Sequence, residues 1–474
     1  MSLLQDGPFA VQLVTCDLQL VTAVPEVFPL SNLISIIDGR ADLEVCLAEL
    51  SERRLRRQPA HIEQATREIV ERVMTEGDAA VIEYTCRFDC PSFGADDMLV
   101  QPDEIQAAYD DAPDDWVRAF RRARENVLAY HERQMPRSWL EDFDGMMMGE
   151  RVRPVESAGV HVPGFSAPLF ATVAMSVEPA KAAGVERICV ATPPRKDGTI
   201  NPLVLVAAAE CGVNEIYCFA GAQAVAALAY GTETVDPVAV IVGPGNPYVT
   251  AAKRMVYGQV GIDNLAGPSE SMIIADGHSD PAWVAADLLA QAEHTGDNTV
   301  VLATESEDLA RAVEAAVVSQ TAQLQRSELI QQSLNEHGMV ALVDDMGAAA
   351  KLANELAPEH LQLSVSEPLA LLEQIENAGA IFLGELATVP LGDYAAGPSH
   401  VLPTGGAARF SSGLSVHDFL KRSSLLYATE RGFARLARDV ELLADAEGLD
   451  AHATAVRIRR RAGFGPQDRE ESGE

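Results

Sequence analysis

A glutamine and a histidine three residues apart, in the run QAEHTGD, mark the first place where this chain could do chemistry. Gln291 and His294 would share one face of a helix end. An imidazole beside an amide oxygen can grip one metal ion, zinc being favoured by the imidazole; the same polar run also suits a solvated helix end. A second place is APEHLQL, where Glu359 and His360 stand side by side after Pro358. A carboxylate and an imidazole can divide acid and base work, each pointing its own way, although adjacent Glu-His pairs are also common on surfaces. LGDYAAGPSHVLPTGG places Asp393, Tyr394 and His400 in a Gly- and Pro-rich segment after an apolar strand, either a site loop or a turn capped by Asp393. Glu447 and His452, in AEGLDAH, form a fourth group that also reads as a capped helix start. The Gly-rich strand-to-helix loops IVGPGN and FAGAQA would let backbone approach a phosphate. Gly243 and Gly245 lack the third glycine of the dinucleotide fingerprint.

These residues need elements to hold them. Apolar positions at helical spacing run through 40–80, and another amphipathic helix passes through Trp116, Phe120 and Val127, after an acid-rich connection. From about residue 155 the pattern turns to βα alternation. AGVHVPG, RICVATPP, EIYCFAG and VAVIVGPG each end at Gly or Pro, with Ala-rich helices between them, which implies a parallel, doubly wound sheet. Ligands of such sheets bind outside the strands' carboxyl ends, where these loops fall. A second α/β series follows: strand SMIIAD, a helix opened by Asp280 and Pro281, strand NTVVLAT, a long helix near 306–335, strand MVALVDD, a helix from Gly347 to about Leu356, and strand AIFLG. The segment from Val416 onward reads mostly as helix.

Composition narrows the function classes. The chain has 474 residues, 47% of them hydrophobic, enough for two to four domains. Its net charge of −34 disfavours nucleic acid and anionic lipid as partners. No run reaches the ~18 consecutive apolar residues of a membrane span, and the first 30 residues make a poor signal peptide. Seven scattered cysteines argue for a reducing, cytoplasmic setting, and Cys86 and Cys90, four apart with no second pair nearby, read as ordinary thiols.

From about residue 33 to 460 the chain resembles the histidinol dehydrogenase family. GPGNPYVTAAKR, VGIDNLAGPSE, DLLAQAEH, APEHL, GDYAAGPSHVLPT and AEGLDAHATAVRIR carry the resemblance, in that order. It implies a zinc-dependent, NAD-linked enzyme that oxidises L-histidinol through L-histidinal to L-histidine. Zinc would be held by Gln291, His294, Asp393 and His452. His360 would take the alcohol proton and Glu359 would activate water. Ser269, His400 and Glu447 would join the zinc ligands and His360 around the substrate, with Ser166 in the nearby PGFSAPLF loop. His161, Gln223 and Asn246 would meet NAD. His161 is a departure, since the family usually has Tyr there; Phe165 replaces a usual Gly, and TVPLGDY lacks the frequent Pro-Glu.

The implied architecture is two Rossmann-like, doubly wound α/β domains with small helical N- and C-terminal segments, in an intertwined homodimer with shared active sites. The implied division is an extension over 1–32, a segment at 33–57 packing with the tail region, a larger domain from 58–160 and 271–411, a cofactor domain at 161–270, and a helical tail at 412–474 donating Glu447 and His452 to the dimer site. Two rivals remain: a sister dehydrogenase acting on another primary alcohol, such as sulfopropanediol, and a non-catalytic zinc- or nucleotide-binding protein.

Overall fold

The apolar runs that end at Gly or Pro become strands of two parallel sheets in the computed structural model, which describes residues 33–40, 42–54, 59–164 and 168–464. The expected N-terminal extension, Phe165 and Ser166 lie outside the described residues. One sheet has five strands: Ser157–His161, Arg187–Ala191, Glu215–Tyr217, Val240–Val242 and Gly261–Ile262. Ser157–His161 lies at the centre, flanked by Arg187–Ala191 and Val240–Val242, so chain order across the sheet runs 3-2-1-4-5. That order reverses between Ser157–His161 and Val240–Val242. The crevice beyond their carboxyl ends is where doubly wound sheets bind ligands, and His161 and Gly243 sit at its edge.

The second sheet is six-stranded and wholly parallel: Ser35–Asp38, Gly338–Leu342, Thr299–Thr304, Glu270–Ala275, His360–Ser364 and Ala380–Leu383, in that spatial order. Its central strands are buried along their whole length because helices cover both faces. Leu288, Val313 and Leu334 pack on one face; Leu50, Leu352 and Leu356 pack on the other. Among the described residues no helix is long and apolar enough to cross a membrane.

Several expectations need correcting. The long helix near 306–335 is two helices, Glu307–Thr321 and Ser327–His337. Ser35–Asp38 and His360–Ser364 are strands to which the sequence reading assigns no element. Of the expected segment at 33–57, the described residues lie on the edge of the six-stranded sheet, with strand Ser35–Asp38 on its border and helix Leu43–Arg54 against helix Met346–Leu356, and not on this chain's own tail. Nor is the tail wholly helical. Leu420–Ala428 is a strand that pairs antiparallel with Met146–Pro154, itself joined to Trp139–Phe143 by a tight Asp144-Gly145 turn with both residues at positive φ. Asp-Gly is among the strongest hairpin signals, and it was available in the sequence.

The expected grouping of 58–160 with 271–411 does not match how the apolar faces pair. Helices Ala60–Glu76, Pro102–Asp111 and Asp114–Glu132 bury Ile69, Ala108 and Phe120 in one core with Val160, Val190 and Ile241 of the five-stranded sheet. The sheet already begins at Ser157. A helix's partner is decided by which apolar face lies opposite it, and local periodicity carries no record of that.

Candidate active site

Asp280 and Pro281 open helix Pro281–Ala292 as the sequence suggests, the Asp280 carboxylate accepting from the Ala282 N–H at 2.8 Å. The helix delivers Gln291 in its last turn and His294 just beyond its end. Gln291 is 2% exposed and its Oε1 has no hydrogen-bond partner. A buried acceptor left open in this way wants a partner from outside the chain. His294 stands at the rim, close enough to Asp393 and His360 to feel both charges.

Glu359 and His360 enter at the amino end of strand His360–Ser364, where His360 pairs across to Ser271 and Ala380. Both side chains are buried. The His360 Nδ1 lies 3.8 Å from Glu359 Oε2, and its Nε2 lies 3.6 Å from Asp393 Oδ1. Neither separation is a hydrogen bond, and both ring nitrogens are without partners. Burial opposes charge on this imidazole, but Glu359 and Asp393 outweigh it and hold the ring above its ordinary basicity. Burial raises the Glu359 carboxyl, while Ser269 beside it favours the charged form. His360 keeps Asp393 below the usual carboxylate range despite burial. The result is an imidazole poised to take a proton, with neither ring nitrogen engaged by protein.

His400 joins the cluster from the loop after helix Val389–Tyr394. One ring nitrogen contacts the Asp393 carbonyl oxygen at 2.9 Å and the other the Thr172 hydroxyl at 3.0 Å, so His400 ties the two parallel-sheet units together. Burial holds it neutral. Ser269, His294, Glu359, His360, Asp393 and His400 therefore converge on one region, with Gln291 buried one turn before His294. Glu447 and His452 do not join it within this chain. They are exposed, at the end of helix Glu430–Ala446 and in helix Asp450–Arg461, which pack chiefly on each other. Among the described residues no three His, Cys, Asp or Glu side chains come close enough together to hold a metal ion.

The cofactor candidates lie at the carboxyl ends of the five-stranded sheet. Gln223 is buried in the first turn of helix Gly221–Tyr230, and Asn246 caps helix Pro247–Val256, its Oδ1 accepting from Tyr248 and Val249 N–H at 3.0 and 3.1 Å. Both line a cavity of about 470 Å³. Gly243, at φ +110°, passes so close to His161 that an added Cβ would stand 2.2 Å from its carbonyl oxygen. His161 is 1% exposed with both nitrogens engaged: Nδ1 donates to Pro244 O at 2.8 Å and Nε2 accepts from Gly221 N–H at 3.1 Å. It braces the two glycine loops and has no hydrogen bond left to offer a ligand.

Sequence reading missed the underside of this loop. Lys253 and Asp263 form a buried ion pair; Lys253 Nζ donates to Gly243 O at 2.8 Å and Asp263 Oδ2 accepts from Gly243 N–H at 2.7 Å. One of only five lysines in the chain, lying within GPGNPYVTAAKR, was the available signal.

The bracing by His161 requires a neutral ring, and burial depresses its pKa from 6.5 to about 4. Between those values the unfolded chain binds a proton that the folded chain refuses. The stabilisation is therefore complete above pH 6.5 and is lost as pH falls toward 4, amounting to about 3 kcal/mol at most. Urea midpoints should fall through this window more steeply in the wild type than in His161→Gln, whose amide can make both bonds without titrating. Parallel pH profiles would remove His161 from the acid response.

The family model for histidinol dehydrogenase matches residues 52–460. The histidinol dehydrogenase of a Synechococcus strain is 47% identical over 431 residues, covering 91% of this chain and 99% of the relative. That of Moorella thermoacetica is 53% identical over 394 residues, 83% of this chain and 93% of the relative. The crystal structure of histidinol dehydrogenase from Elizabethkingia anophelis superimposes with a TM-score of 0.86 at 35% identity, over 91% of this chain and 98% of that one. With relatives about half identical across nearly their whole length, and a solved fold shared over nine-tenths of its residues, this chain belongs to the histidinol dehydrogenase family.

Proposed function

We propose that the chain oxidises L-histidinol through L-histidinal to L-histidine with two NAD and one zinc ion, at a site completed by a partner copy. Dehydrogenation of histidinol, in histidine biosynthesis, is the family's reaction. The observation that carries the residue assignments is His360, buried between two carboxylates with both nitrogens open.

Going from alcohol to carboxylate at one carbon needs the hydroxyl proton removed, then a water deprotonated to attack the aldehyde. His360, made more basic by Glu359 and Asp393, holds the first proton. Glu359, buried beside Ser269, takes the second. A buried cluster keeps bulk water from the aldehyde between the two oxidations.

Gln291, His294 and Asp393 fit zinc: an orphaned buried amide oxygen, an exposed imidazole, and a carboxylate. His452 of a partner copy would supply the fourth donor. Bound zinc would anchor the substrate's amine and imidazole, and bound NAD would accept the hydride. Gln223, Asn246 and the Gly221 and Gly243 loops form the cofactor cradle, steadied from beneath by His161 and Lys253.

The homodimer finds support in apolar side chains left in water. Leu426, Tyr427, Leu442, Leu443 and Ile458 are each at least 60% exposed, all in the strand and helices after 419. Such a patch marks a protein contact. A sulfonated alcohol is disfavoured, since Glu359 and Asp393 flank the catalytic imidazole and Glu447 would add a third carboxylate.

The test is a count of NADH formed per L-histidinol by zinc-loaded protein, with a chelated sample alongside. Two NADH per substrate, abolished by chelation and restored by zinc, is the expected result. One NADH with free aldehyde, or full turnover without metal, would defeat the reading.

A further inference from the structure

Helix Asp78–Phe88 ends at Asp89, whose N–H donates to Thr85 O at 2.9 Å. Its carboxylate thus stands at the negative end of a helix dipole, where a cation would be favoured. Asp89 is half-buried, and among the described residues no basic side chain pairs with it; the nearby Arg87 guanidinium lies 5.4 Å from the Phe88 ring centre instead. Burial pushes the carboxyl up to about 6. A charge so placed weakens the free protein unless something from outside satisfies it.

Asp89 lines the 470 Å³ cavity that also holds Tyr84, Arg87, Gly221, Gln223 and Asn246, with the exposed Arg87 guanidinium held over the Phe88 ring. The amino ends of two helices, at Gly221 and Asn246, suit a pyrophosphate. None of Ser269, Glu359, His360, Asp393 or His400 reaches this cavity. The nicotinamide must stand at the carbon served by His360, so the cavity receives the other end of the dinucleotide, its adenosine.

We infer that Asp89 accepts hydrogen bonds from the adenosine ribose hydroxyls and thereby selects NAD against NADP. The inference rests on the cofactor placement proposed above. NAD and NADP differ only at the 2′ position, where NADP carries a phosphate. A carboxylate there gains two charged hydrogen bonds from NAD and meets like charge in NADP. Glu68, the other acidic residue on the cavity wall, is exposed and already hydrated. With the Asp89 charge removed, a 2′-phosphate would meet Arg87 on the same wall with no carboxylate at Asp89 to oppose it.

The experiment is calorimetric titration of the intact protein with NADH and with NADPH, without turnover. Asp89→Ser should weaken NADH by about 10- to 100-fold, the scale of a lost charged hydrogen bond, and leave NADPH equal or tighter. Asp89→Asn, nearly isosteric and safer for folding, should shift the NADPH-to-NADH ratio in the same direction. An unchanged ratio in both variants overturns the assignment. Ala65→Trp, which fills the cavity, separates the two levels: lost NADH binding there together with an unchanged Asp89 ratio defeats the role of Asp89 alone. Wild-type NADH binding in Ala65→Trp defeats the cofactor placement, and the inference with it.

Discussion

Glu359→Gln is expected to abolish histidine formation while sparing the interconversion of alcohol and aldehyde. Glutamine keeps the shape of Glu359 and its contact with Ser269, but it cannot take a proton from water. A positioned general base contributes about 10²- to 10⁴-fold, so oxidation of added L-histidinal should fall by that factor. Reduction of L-histidinal by NADH, which needs only the proton on His360, should fall less than about tenfold. His360→Asn should lose both half-reactions by about 10²-fold or more, because the imidazole serves the hydroxyl proton in either direction. Single-turnover measurement of each half-reaction separates these outcomes. Equal losses in both half-reactions for Glu359→Gln would show that the two residues act as one unit, against the division of work proposed here.

Mixing two inactive variants should restore activity. Glu359 and His452 belong to different ends of the fold: one is buried at a strand start, the other exposed on a helix that packs on its own neighbour and not on the catalytic cluster. If His452 completes the partner's site, Glu359→Gln and His452→Ala each inactivate every site in their own homodimers. In a heterodimer one site carries both changes and the other carries neither. Random re-pairing makes half the dimers mixed, so roughly a quarter of wild-type activity should return after co-refolding. If activity stays at the level of the parents although mixed dimers are demonstrated by mass, His452 serves its own chain or none. The exposed apolar residues after 419 make the mixed dimers themselves an expected product.

What the sequence by itself determined was local. The Asp280-Pro281 opening, the strands ending at Gly or Pro and the helix ending near Leu356 all follow from chemistry within a turn or two of the residue concerned. The βα alternation was enough for parallel sheets, and the long motif matches were enough for the family. Strand His360–Ser364 was legible but passed over: HLQLS alternates polar and apolar residues, the period of a strand, with Leu361 and Leu363 turned into the core. The grouping of helices 60–132 with the five-stranded sheet was hidden, since an amphipathic helix shows that it has a buried face and not what covers it. Only the tertiary structure brought Ser269, Glu359, His360, Asp393 and His400 together, revealed the open nitrogens of His360, and placed Lys253 and His161 under the glycine loops. Those facts depend on which distant segments exclude water from one another, and burial between segments more than a hundred residues apart is a property of the packed chain, not of any window along it.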